Sequence, residues 1–244
     1  MNTQHSNNDA GFSLVELILA MAITLTILGL SSTLLAGGFK SRSREDRKSD
    51  AIADVQRAMN IMTREISNAG LKLPSGLGAV AGNGIVTNDS DNQSLRIVSN
   101  LNGMPDSANG YFEDADVEDT DEDLKFLMYV DANLGQRYIV RYERNGSNQT
   151  TVLANRIDSL IFRYYDEKVT YSTTVDSSGV CDITDVKNAS GSSKSEVTPA
   201  AAKFVVIAVG VTLPAVGTQG QSGYQPASQV QLTSDVVLRN SIDY

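Results

Sequence analysis

The sequence predicts an α+β fold, one long N-terminal α-helix laid against an antiparallel β-sheet. Three features predict it. An uncharged run of 23 residues spans Leu17 to Phe39. Apolar residues then recur at spacings of three and four between Ile52 and Ala69. Beyond Pro74 the period shortens to two, and β-branched runs alternate with connections rich in Gly, Asn and Asp.

Length defines the first segment. Its 23 residues reach about 34 Å as a helix, enough to cross the core of a bilayer. A secretory signal peptide is one reading of such a run, and a plain signal anchor is another. A signal peptide wants a basic segment ahead of a short apolar one. Here MNTQHSNNDAG contains no Lys or Arg, and the run is too long, although Ala36-Gly37-Gly38 could serve as a cleavage site. Neither reading accounts for Glu16. A carboxylate costs about 2.5–3.5 kcal/mol at a bilayer centre and less at its edge.

The second segment is one-sided. Ile52, Val55, Met59, Met62, Ile66 and Ala69 form a single stripe of an amphipathic helix, and its methionines read as core. No proline lies between residues 12 and 73, so one helix can run through both segments, with at most a bend at Gly37-Gly38. Gly70 is placed to cap the helix, and Pro74 prevents its continuation.

The strands follow. Residues 75–92 read as loop. SLRIVSN (94–100) alternates as a strand does. DLKFLMYV (123–130) and QRYIVRYER (136–144) flank Asp131 to Gly135 and predict a hairpin. TVLANRIDSLIFRYYD (151–166) is one bent strand or two. FVVIAVGVTL (204–213) is unbroken and predicts a central strand, and VQLTSDVVLRN (230–240) closes the domain. Residues 167–199, rich in Ser, Thr, Gly and Asp, read as a long exposed excursion. It carries the only cysteine, Cys181, which can form no intrachain bridge and is expected as a free thiol, with intermolecular pairing the alternative.

Charge limits the partners. The net charge of −9 is uneven: residues 40–72 carry eight Lys/Arg against five Asp/Glu, and residues 73–244 carry twelve against twenty-two. An acidic globular part argues against nucleic-acid binding. The densest acidic stretch is 113–123, where eight of eleven residues are Asp or Glu. Asp114, Asp116 and Glu118 match positions one, three and five of a calcium loop, but Asp119 stands at position six and Lys125 at position twelve. A solvated acidic loop is the alternative to a weak calcium site. No other cofactor is expected, since a glycine-rich phosphate loop at a strand–helix junction is absent.

The run GFSLVE, followed at once by the apolar segment, resembles the signature of type IV prepilins. The resemblance implies a pilin-type fold. It implies that a membrane peptidase cuts between Gly11 and Phe12, and that Phe12 becomes the methylated N-terminus. The domains would then be a leader peptide (1–11), a transmembrane and assembly helix (12–39), its amphipathic second half (40–72) and a globular β-rich domain (73–244). Cleavage would place a free amine four residues before Glu16, on the same helical face. In the family the equivalent glutamate attracts the amine of a neighbouring subunit, while pairing with the chain's own Phe12 amine remains open. The only histidine, His5, would leave with the leader, which excludes histidine-based catalysis and zinc sites. Lys40, Arg42, Arg44, Arg47 and Lys48 follow the span, so the positive-inside rule alone would put them in the cytoplasm. The resemblance overrides the rule, because the Gly11–Phe12 bond must face a cytoplasmic peptidase.

Further segments, QRAMNIMTREISNAG, ANRIDSLIFRYYD, FVVIAVGVTL and SDVVLRN, resemble PilW-type minor pilins and the related J-type pseudopilins of type II secretion. The resemblance implies a non-enzymatic minor subunit of a type IV pilus, anchored in the bacterial inner membrane with its C-terminal domain in the periplasm. Its implied partners are the major pilin, other minor pilins, the prepilin peptidase and the inner-membrane assembly platform. A pseudopilus-tip subunit and a non-polymerising anchored binding protein are the alternatives.

Overall fold

The computed structural model describes residues 13–73, 77–101, 116–145, 149–176, 180–220 and 224–241. The chain divides into two compact units. One joins the helix up to Asp46 with the segment Ala215–Pro226, and the other holds Arg47–Pro214 and Ala227–Tyr244.

Helix α1 runs unbroken through Leu14–Ser67. Gly37 and Gly38 lie inside it without ending it. A glycine in a helix interior costs about 1 kcal/mol relative to alanine, which neighbouring turns of good helix formers offset. In the larger unit the predicted stripe is the buried one: Val55, Met59, Met62, Ile66 and Ala69 are all core residues, and Ala58 joins them. Ile52 is only half-buried. Gly70 does take a left-handed conformation, with φ at +79°. Its N–H, however, donates to Val98 O at 2.9 Å, so it ties the helix end to a strand.

The strands are β1 (Ser94–Val98), β2 (Asp123–Val130), β3 (Arg137–Glu143), β4 (Thr150–Asn155), β5 (Ser159–Tyr165), β6 (Val169–Val175), β7 (Cys181–Asn188), β8 (Phe204–Leu213) and β9 (Ser228–Val237). They form three antiparallel sheets: β1-β2-β3-β4, β5-β8-β9 and the pair β6-β7. The expected β2–β3 hairpin closes as the sequence suggests. Asp131 Oδ1 accepts the N–H groups of Asn133 and Leu134, and Gly135 supplies the positive φ of +62°. The segment 151–166 resolves into two strands, in different sheets. β8 is the central strand, between β5 and β9.

One core joins the helix stripe to both large sheets, through Leu95, Phe126 and Ile139 on one side and Phe162, Val205, Ile207 and Val209 on the other. The opposite face of β8 is buried as well. Phe204, Val206 and Ala208 pack with Val169, Cys181 and Ile183 of the β6–β7 hairpin. The expected exposed excursion at 167–199 is therefore corrected. It folds as a hairpin whose apolar face covers the second side of the sheet. Cys181 is a free thiol with no solvent exposure, and its N–H donates to Ser159 Oγ at 3.0 Å. Burial pushes the thiol above its ordinary range, so the thiolate needed for disulfide chemistry is suppressed. The described part of the 75–92 loop is also firmly held: Asn83 donates to Pro199 O and Ala202 O, and Ile85 bridges to Ile97.

Arg96 of β1 ties the first sheet. Its Nε and Nη2 meet both oxygens of Asp123 at 2.8 and 2.6 Å, and its Nη1 meets Asp89 at 2.6 Å. The Arg96 hydrogen bond holds the Asp89 carboxyl below its ordinary 3.8. A carboxyl lowered in the folded state adds stability above its unfolded value, and that stability is lost as pH falls through the folded one. Arg96→Met leaves the nearly buried Asp123 unpaired and is expected to cost about 3 kcal/mol at neutral pH. It should also flatten the loss of stability below about pH 4. Urea unfolding across pH checks both. A neutral-pH cost within about 0.5 kcal/mol of zero would show that the arginine contributes little.

Candidate assembly site on the N-terminal helix

The candidate site is built on the first turns of α1. Leu14 is the first helical residue, so Glu16 sits in the first turn, where the helix dipole favours negative charge. Its Oε2 accepts the Ser13 N–H at 3.0 Å, and Leu17 N–H donates to Ser13 O at 3.1 Å. Glu16 thus supplies half of a capping box, satisfying one donor that the helix start leaves open. A carboxylate has room for about four hydrogen bonds, and Ser13 uses one, so the exposed group can still receive an amine. Gly11, Phe12 and Asp114 lie outside the described residues.

Behind Glu16 the helix surface is apolar on every side. Leu14, Ile18, Leu25, Leu34 and Phe39 are each 59–76% exposed. The hydroxyls in this stretch turn back onto the helix: Thr24 bonds Ala20 O, Thr26 bonds Ala22 O, Ser32 bonds Leu28 O and Thr33 bonds Leu30 O, all at 2.7–2.8 Å. These four hydroxyl protons are satisfied within the helix, so the surface suits lipid or another apolar helix. Among the described residues α1 is the one helix long and apolar enough to cross a membrane.

Residues 6–32 match the family model described as the prokaryotic N-terminal methylation motif. The chain carries a prepilin-type signal. No curated protein and no solved structure matches the chain. The motif spans the Gly11–Phe12 junction and Glu16 and ends inside the apolar run. Together with the long helix on antiparallel sheets it supports a pilin-type protein, a structural rather than catalytic class, with a helix fit for membrane anchoring.

Past the apolar run, in the same unit, the segment Ala215–Pro226 clasps the helix. Arg44 donates to Gln225 Oε1 at 3.0 Å and to Pro226 O at 2.6 Å, and Gln225 Nε2 donates to Ser41 Oγ at 3.1 Å. Sequence reasoning assigned this segment no role. Pro214 and Pro226, which bracket it, were the available signal.

Among the described residues of the acidic stretch, the carboxylates that converge share only Asp116 with the calcium-loop spacing. Carboxylate oxygens of Asp116, Asp119 and Glu122 lie within 4.8 Å of one another, and Glu118 is not in that group. Glu118 instead donates its N–H to Asp116 Oδ1 at 3.0 Å. Glu122 is buried, and both its oxygens are used, by Leu101 N–H at 2.7 Å and Asp119 N–H at 3.2 Å.

Proposed function

We propose that this chain is a minor pilin, a subunit that primes or joins a type IV pilus by helix–helix packing. Gly11 is the last residue of the leader, Phe12 the methylated N-terminus, and Glu16 the acceptor for the amine of a neighbouring subunit. The span from Phe12 to Phe39 sits in the inner membrane before assembly, and the domain beyond it lies in the periplasm. The prepilin peptidase, the assembly platform, the major pilin and other minor pilins are its partners.

The observation that carries this reading is the methylation motif running directly into a helix whose apolar surface stays exposed among the described residues. Such a surface is stable only in lipid or against like helices. The test is mass spectrometry of the N-terminal peptide from the native host, in membrane and sheared-filament fractions. A methylated Phe12 in the filament fraction is the expected result. An N-terminus near Gly38 would mean a secreted soluble domain, and an intact Met1 a plain anchor; either overturns the proposal. Methylated Phe12 that never leaves the membrane fraction would favour the pseudopilus reading.

A further inference from the structure

Strand β9 forms an open edge of the three-stranded sheet. It is 10 residues long, and its register with β8 is regular from Val237 to Ser228, with no bulge. Leu238 N–H donates to Lys203 O at 3.0 Å, which makes Phe204 and Val237 a non-hydrogen-bonded pair. The ladder bonds to β8 therefore fall at Val236, Ser234, Leu232, Val230 and Ser228. The N–H and C=O groups of Gln229, Gln231, Thr233, Asp235 and Val237 point the other way. Among the described residues no strand pairs with that side.

Folded proteins blunt such edges with lysine, proline, bulges or short strands. β9 has none of these. Its single charge, Asp235, is held by the Tyr171 hydroxyl of β6, on the hairpin side of the sheet. A regular edge of this length matches one kind of partner, another extended backbone.

The groove beside the edge gives the partner's charge. It measures about 590 Å³ and is lined by Asn60, Thr63 and Arg64 of α1 and by Asp235, Val237 and Arg239. The Arg64 side chain is 73% exposed, and the Glu65 carboxylate 3.9 Å away is bonded at 3.0 Å to Arg141. Arg239 is exposed and makes no ion pair among the described residues. In a chain of net charge −9 this corner offers two exposed arginines, and the two carboxylates near them, Asp235 and Glu65, are each engaged by another side chain.

We propose that the free edge of β9, with Arg64 and Arg239, takes up an extended acidic segment of another polypeptide as an added strand. Backbone bonds to the five outward residues hold the segment. Acidic side chains along one face of it reach the two arginines. This surface uses the last turns of α1 and β9 and none of the apolar run Leu17–Phe39.

The test uses the full chain in detergent micelles. The probe is a labelled peptide the length of β9 that alternates Glu with Val. Saturable binding is expected by fluorescence anisotropy, with slowed amide exchange at Gln229, Gln231, Thr233, Asp235 and Val237. Thr233→Pro removes one outward donor and leaves the β8 ladder intact, so it should weaken binding about tenfold or more. Arg64→Glu combined with Arg239→Glu should do the same, as should a probe with Lys for Glu, by about tenfold. Equal binding by Thr233→Pro, protection at residues away from β9, or no binding at all overturns the proposal. So does self-association of the chain that Thr233→Pro abolishes, since the edge would then belong to a second copy.

Discussion

Replacing Gly84 with alanine is expected to destabilise the larger unit by about 3 kcal/mol or more. Gly84 has φ at +81°, and a Cβ there would overlap the backbone of Gly70 and Ala69. Neither neighbour can yield. Gly70 N–H is bonded to Val98 O, and Val98 N–H is bonded in turn to Gly84 O at 2.8 Å. Ala69 O accepts Asn240 Nδ2 at 2.9 Å. Helix end, loop and β1 thus meet at a point with no volume for a methyl group. Thermal unfolding of the full chain should show a loss of roughly 6–12 °C. Gly135→Ala is the comparison. It shares the positive φ, at +62°, but nothing lies within 4 Å of its Cβ, so only conformational strain of about 1 kcal/mol is expected. If the two variants melt together, close approach at Gly84 is not what the position requires.

Neutralising Glu16 is expected to remove the subunit from filaments while leaving it in the membrane. Loss of the charge makes insertion easier, because the carboxylate is the costly group at the bilayer edge. A neighbouring amine in an apolar bundle would lose its counter-charge, an effect of about 2–5 kcal/mol and so more than tenfold in incorporation. Glu16→Gln keeps an oxygen for Ser13 N–H, whereas Glu16→Ala removes the cap as well. Both should fall at least about tenfold in the ratio of filament to membrane signal on immunoblots. Wild-type incorporation of Glu16→Gln would reduce the residue to its local capping role.

The long helix and the central strand were legible because each repeats one physical demand over many residues. The stripe from Val55 to Ala69 is a helix with one dry side, and the run from Phe204 to Leu213 is a strand with two. That second dry side was itself a signal. The helix can cover only one face of β8, so another element had to cover the other. Composition hid that element, because the hairpin's outward residues include Ser, Thr and Asp, and its buried ones are few: Val169, Cys181 and Ile183. The single sheet expected from the sequence became three because strand pairing over long separations leaves no local mark. At the N-terminus the motif was fully legible, since its chemistry is local. The engagement of Glu122 was not, because its donor Leu101 lies 21 residues away in sequence.

The end of α1 also determines how the larger unit would carry tension. Three strands grip the helix near its last turns: β3 through Arg141 and Glu65, β9 through Ser234 and Thr63 at 3.2 Å, and β1 through Val98 and Gly70. These strands belong to two different sheets. A pull on the helix is therefore passed to both sheets rather than to one.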